Sequence, residues 1–191
     1  MGRVALVLAL PAAGFAMVFA VVLVLDQATK QLVRVFMDPP GTTVHVLGPL
    51  LSFVHVRNPG ASFGMLPGHT PVFMGVTVLV LVGVAIYWFR VRPRRALLVV
   101  ALALVSAGAV GNLIDRALTG LVTDFIQIPF DFPVFNIADI AIFSGVAMLV
   151  WWVLFGPAEH SAAVGDAGEL GAPAPETGTP EPTAPHGPGG E

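Results

Sequence analysis

Six aspartates precede residue 157 in this chain: Asp26, Asp38, Asp115, Asp124, Asp131 and Asp139. Two carboxyls held within a few ångströms at a partly desolvated site cannot both ionise cheaply. One keeps its proton and the other stays charged, so identical side chains become an acid and a base. The charged member can deprotonate a water that attacks a peptide carbonyl while the neutral member donates to the carbonyl oxygen. Each such transfer is typically worth about 10²–10⁴ in rate, and the titration belongs to the pair. Other chemistries are poorly supplied. With no cysteine there is neither a thiol nucleophile nor a thiolate zinc or iron–sulfur site. No His-Glu-x-x-His occurs, and His45, His55, His69, His160 and His186 are scattered. Lys30, the only lysine, follows Asp26 by four residues on the same helical face. An ion pair at that spacing keeps it charged, the wrong state for the base of a Ser–Lys dyad.

Several polar residues share faces with these aspartates. Asn112, Asp115 and Arg116 stand at i, i+3 and i+4, and Asn136 and Asp139 at i, i+3. Taken singly they have plain structural readings: Asp115 as an ion pair with Arg116 where a helix ends, Asn136 as an N-cap. Spacing alone does not choose which two aspartates form a pair.

The elements that carry them are written in the composition. Of 191 residues 55% are hydrophobic and 11% charged, whereas soluble domains carry about 25% charged residues. The chain is built for lipid. Nine Lys and Arg residues with no long basic run also argue against nucleic-acid binding. Four uncharged apolar runs stand out: Val4–Leu25, Val72–Phe89, Ala96–Ile114 and Ile140–Phe155. About 20 residues are needed to cross a bilayer. The fourth run reaches that length only by starting near Phe135 and taking Asp139 inside, and an intramembrane carboxylate marks function by default. Ala103, Ala107 and Gly111 recur at four-residue spacing and predict a close helix–helix approach. The first run is too long for a signal-peptide core and reads as a retained helix.

Arg3 and the cluster Arg90, Arg92, Arg94 and Arg95 place both termini and the 2–3 turn in the cytoplasm. The 1–2 and 3–4 connections then face outward. Asp26, Lys30, Asn58, Asn112, Asp115, Arg116, Asp124, Asn136 and Asp139 thereby converge at the outer leaflet. Between helices 1 and 2, Phe53–Arg57 alternates as a strand and Thr42–Leu47 is rich in β-branched residues, which predicts a small β-sheet at the membrane surface, broken by Pro59-Gly60. The fold class expected is a mainly α membrane protein: a four-helix domain over 1–156, with a net charge of +3, and a tail over 157–191. That tail holds seven Pro, seven Gly, six acidic residues and no Lys or Arg, so disorder is expected. Phe125, Phe130, Phe132 and Phe135 are candidates either to flank a lipid-filled groove or to form an interfacial belt.

Five motifs in order then carry a resemblance: Asp26-Gln27-Ala28-Thr29-Lys30, the segment Asn58–Gly64, the segment Gly108–Arg116, the segment Gly120–Phe125, and Phe135-Asn136-Ile137-Ala138-Asp139. From about Asp26 to Phe143 the chain resembles the lipoprotein signal peptidases (type II signal peptidases), bacterial four-helix membrane aspartic proteases. The resemblance implies a catalytic dyad of Asp124 and Asp139. It implies substrate-binding or lining roles for Asn58, Gly60, Asn112, Arg116 and Asn136, and support from Asp26, Lys30 and Asp115. It implies no metal or organic cofactor. The implied substrate is a prolipoprotein bearing diacylglycerol on the cysteine after the cut, and a monomer is the default. Pro59 and Ser62 vary positions within the Asn-x-Gly-Ala motif, where a second alanine is more usual than Ser62. Two other readings compete: a small transporter relaying protons through intramembrane carboxylates, and a non-catalytic binder of lipidated peptides. The absence of a polar track through helices two to four speaks against the first.

Overall fold

The computed structural model describes residues 2–60, 70–129 and 132–156, without the side chains of residues 2–9. Ala61–Gly64 of the second motif, His69, Phe130, Asp131 and the tail from 157 lie outside these residues, as does the disorder expected of that tail. Among the described residues four helices are long and apolar enough to cross a membrane: α1 (Gly2–Phe36), α2 (Thr70–Val91), α3 (Ala96–Thr119) and α4 (Ile137–Phe155). All four expected runs are helical. The first continues eleven residues past its apolar stretch, to about 52 Å at 1.5 Å per residue. Its last turns therefore carry Asp26, Lys30 and Arg34 beyond the hydrocarbon-matching part of the helix.

Helix α3 lies at the centre and packs on each of the other three. Thirteen of its residues are buried, Ala103, Ala107 and Gly111 among them. The small-residue stripe does what its spacing predicts, and two further glycines extend it. A Cβ on Gly108 would collide with the Ala138 carbonyl and Ile142, and one on Gly145 would meet the Ala101 carbonyl at 2.7 Å. Helices α3 and α4 thus approach to backbone contact. By contrast α2 buries no residue at all, so its all-round apolar surface is explained only by lipid. Helix α3 stops at Gly120, whose left-handed φ of 76° lets its N–H cap the Arg116 carbonyl at 2.9 Å.

The sheet is wider than the sequence predicts. Strands β1 (Thr43–His45) and β2 (Ser52–Asn58) form the expected antiparallel pair, and β2 ends where Pro59 begins. A third strand, β3 (Val122–Gln127), comes from the 3–4 connection and pairs antiparallel with β2, with a register shift between Phe53 and Val56. The sheet therefore joins both connections rather than lying only between helices 1 and 2. Beneath it Val33, Met37 and Phe125 are buried together against Phe53, Ile126 and Ile137, with the Phe53 and Phe125 rings 6.1 Å apart. Phe125 is thus part of this core, not a groove wall, because its strand faces α1. Phe132 and Phe135 pack edge-to-face at 5.7 Å, with Phe132 half exposed.

Candidate active site

Three local devices bring the polar residues together. The first is the start of α4. Asn136 is its N-cap: its Oδ1 accepts from the Asp139 N–H at 3.0 Å, while Asp139 Oδ2 accepts from the Asn136 N–H at 3.1 Å. This reciprocal box satisfies two helix-end amides and is worth about 1 kcal/mol. It also fixes the Asp139 rotamer. The next orphan amide, Ala138 N–H, donates to Asp26 Oδ1 at 2.9 Å, so α1 caps α4 as well.

The second device is the return of the chain after β3. Phe135 exchanges backbone hydrogen bonds with Ile126 at 2.8 and 3.0 Å, which sets Asn136 beside the strand. Asn136 Nδ2 then donates to Asp124 Oδ1 at 2.6 Å and to Asn112 Oδ1 at 3.2 Å. Asn112 Nδ2 in turn donates to Asp139 Oδ1 at 2.8 Å. Asn58, on the neighbouring strand, donates to Asp124 Oδ2 at 2.8 Å. Asp124 and Asp139 are therefore two ends of one short hydrogen-bonded chain running through two asparagine amides. Burial pushes the Asp124 carboxyl from 3.8 up to about 6; the Asn58 hydrogen bond pulls against this, the nearby Asp139 charge adds to it, and Asn136 and Lys30 pull it back. A carboxyl so placed exchanges its proton near neutrality, as an acid–base group must.

The third device is a buried charge network on α1 and α3. Lys30 Nζ lies 2.9 Å from Asp26, 3.4 Å from Asp115 and donates to Asn112 Oδ1 at 2.9 Å. Arg34 Nη2 meets Asp115 at 2.7 Å. Two cations thus balance two carboxylates, with Asp26, Lys30 and Asp115 essentially inaccessible. The Asp26–Lys30 pair is the one the spacing predicts. The pairing of Asp115 with Arg116 is not formed. Adjacent residues on a helix point about 100° apart, and Asp115 faces Arg34 and Lys30 instead. Arg116 turns the other way, donating to the Gly60 carbonyl at 3.1 Å with its guanidinium 5.7 Å from the Phe73 ring centre. Gly60 N–H closes on Asn58 Oδ1 at 2.9 Å, so Arg116 straps the end of β2 over the site.

The structure thereby gathers Asp26, Lys30, Asn58, Gly60, Asn112, Asp115, Arg116, Asp124, Asn136 and Asp139 into one cluster. Asp38 falls outside it, on a cleft of about 210 Å³ shared with His55 and Arg57 that borders the cluster at Arg34 and Thr123. His45 and His55 are tied locally, to Ser52 Oγ at 2.8 Å and the Met37 carbonyl at 3.1 Å. One cluster member escaped sequence reasoning. Arg34 bonds Asp115 and also donates from Nε to Thr123 Oγ1 at 2.8 Å, while Asp115 Oδ2 accepts from the Thr123 N–H at 3.0 Å. Thr123 immediately precedes Asp124, so this clamp fixes the strand that presents that carboxyl. The signal was present: Asp26, Lys30 and Arg34 stand at i, i+4 and i+8 on one helix face.

The carboxyls, their amide relay and the strap compose a site able to activate water against an amide. A family model for signal peptidase (SPase) II matches residues 18–155. The lipoprotein signal peptidase of Pelotomaculum thermopropionicum is 44% identical over 137 residues, covering 72% of this chain and 89% of that protein. That of Moorella thermoacetica is 41% identical over 146 residues, covering 76% and 96%. A solved bacterial membrane enzyme, determined by the in meso method at 1.9 Å, superposes with a TM-score of 0.69 at 33% identity, covering 75% of this chain and 94% of that one. A match that starts in the first span, ends with the last and takes in every residue of the cluster makes this chain a member of the signal peptidase II family.

Proposed function

We propose that Asp124 and Asp139 are the catalytic pair of this membrane protease, which removes signal peptides from lipoproteins. The observation that carries the proposal is the amide relay joining the two carboxyls, with Asp124 held near 6. One proton shared by the pair supports peptide hydrolysis without a cofactor. The ionised carboxyl takes a proton from water as the water oxygen bonds to the scissile carbonyl carbon. The protonated carboxyl donates to the carbonyl oxygen. The tetrahedral adduct then collapses, the C–N bond breaks, and the amine leaves with a proton from the pair.

The substrate is a prolipoprotein whose cysteine after the cut carries diacylglycerol. Two acyl chains anchor it firmly in the bilayer, so enzyme and substrate meet by lateral diffusion. The arginines at the 2–3 turn orient both termini to the cytoplasm and the carboxylate end to the outer leaflet, where the lipidated cysteine sits. Asn58, Gly60, Asn112, Arg116 and Asn136 hold the substrate backbone, Asp26, Lys30 and Asp115 support them, and the enzyme works as a monomer.

A gel-shift cleavage assay on a purified diacylated precursor tests this. Asp124→Asn and Asp139→Asn each lower the rate by about 10³-fold or more, with helicity and detergent-solubilised size unchanged. Cleavage by either variant at the wild-type rate would remove the pair from the mechanism.

A further inference from the structure

At the opposite end of the bundle from the carboxylates, α1 and α2 do not close on each other. They touch where the Phe15 and Trp88 rings meet at 4.8 Å, and beside that contact two clefts open, of about 310 and 240 Å³. They share Ala12, Trp88 and Phe89 and so form one continuous groove. Its inner part is apolar, walled by Phe15, Leu81, Val84 and Ala85. Its mouth is lined by Arg92 and Arg94 on either side of the buried Pro93.

Two features distinguish this mouth from a turn that is merely basic. Arg90, Arg92, Arg94 and Arg95 have no carboxylate within ion-pair distance among the described residues, unlike the fully paired Lys30 and Arg34. Arg92 also stands at φ 50°, just after α2, with its N–H on the Trp88 carbonyl at 2.9 Å. A glycine at that left-handed position would be free of strain, whereas an arginine costs about 1 kcal/mol. The strained residue is one of the two arginines that line the mouth.

We propose that this groove binds one anionic phospholipid, with its phosphate between Arg92 and Arg94 and an acyl chain laid between α1 and α2 against Trp88. Charge complementarity selects the occupant. A zwitterionic lipid brings a cation to a mouth already carrying unpaired cations, and a signal peptide's own basic leader meets the same repulsion. Basic pockets between spanning helices take anionic headgroups for this reason. Its mouth lies beside the start of α3, sixteen residues from Asn112 or about 24 Å along the helix, so the headgroup site is distinct from the carboxylate cluster, while the inner end of the groove reaches Ser106.

Trp88 is the reporter. In the full chain with Trp151→Phe and Trp152→Phe it is the remaining tryptophan, and lipids brominated on their acyl chains quench it on contact. In detergent, brominated phosphatidylglycerol half-quenches Trp88 at a mole fraction roughly tenfold below brominated phosphatidylcholine. Adding Arg92→Gln and Arg94→Gln removes that difference. Ala85→Phe, which fills the slot and leaves the arginines, weakens quenching by both lipids even if the double arginine variant fails to fold. Equal quenching by the two lipids in the parent, or a preference that survives loss of both arginines in a folded protein, overturns the proposal.

Discussion

The two ends of this bundle treat charge in opposite ways. At one end Asp26, Lys30 and Asp115 are buried to within 1% of complete inaccessibility, and each is held by at least two partners. At the other, four arginines sit within six residues with no carboxylate beside them among the described residues. Burial without partners would cost several kcal/mol per ion, so the first end must be solved as a complete network. The second remains in contact with water and headgroups and needs no such solution. A charge in a membrane protein is informative through the company it keeps.

Removing one cation from each end breaks or confirms that contrast. Lys30→Met leaves buried Asp26 without a cation and Asp115 with Arg34 alone, and the fold loses about 3–5 kcal/mol, measured by unfolding in detergent. Arg90→Gln at the other end shifts the same measurement by less than about 0.5 kcal/mol. Similar losses from both would erase the distinction between the two ends.

Asp124 sharpens it through pH. Its folded carboxyl lies at about 6 against an ordinary 3.8, so the folded chain binds a proton that the unfolded chain releases. Its contribution to stability is fully present below pH 3.8 and is lost as pH rises through 6, a change of about 2–3 kcal/mol. Unfolding wild type and Asp124→Asn from pH 4 to 8 gives a difference that moves in the variant's favour over that window. A difference that is flat with pH contradicts a proton held at Asp124.

A smaller loss is expected at the most local of these contacts. Arg34→Met leaves the Asp26–Lys30 pair intact and releases the Thr123 hydroxyl, with only the Thr123 N–H still held by Asp115, so the cost falls on the presentation of Asp124. We expect kcat to drop about tenfold, near 1.4 kcal/mol, with KM nearly unchanged. A change in KM alone would move Arg34 from positioning to substrate binding.

Much of this architecture was legible because membranes impose simple rules. Apolar length located the four spans, the small-residue spacing found the face of α3 that meets its neighbours, and Asn136 and Asp139 at i, i+3 marked a helix start. The misreadings have physical causes. Asp115 and Arg116 are adjacent in sequence, and adjacency on a helix is separation in space. Strand β3 is six residues in a connection, Val122–Gln127, and only pairing with β2 makes it a strand. Arg34 was hidden because α1 continues beyond the apolar run that defined it. The choice of Asp124 over Asp115 or Asp131 came from family resemblance; in the structure Asp115 is tied to Lys30 and Arg34, while strand β3 delivers Asp124 to Asn58 and Asn136.

One bond reaches furthest along the chain. The Asp26 carboxylate closes the amide of Ala138, 112 residues later, so the start of α4 is finished only by α1. Until α4 docks, neither Asn136 nor Asp139 stands beside Asp124 and Asn112, so the polar cluster is completed by its most distant partner in the chain.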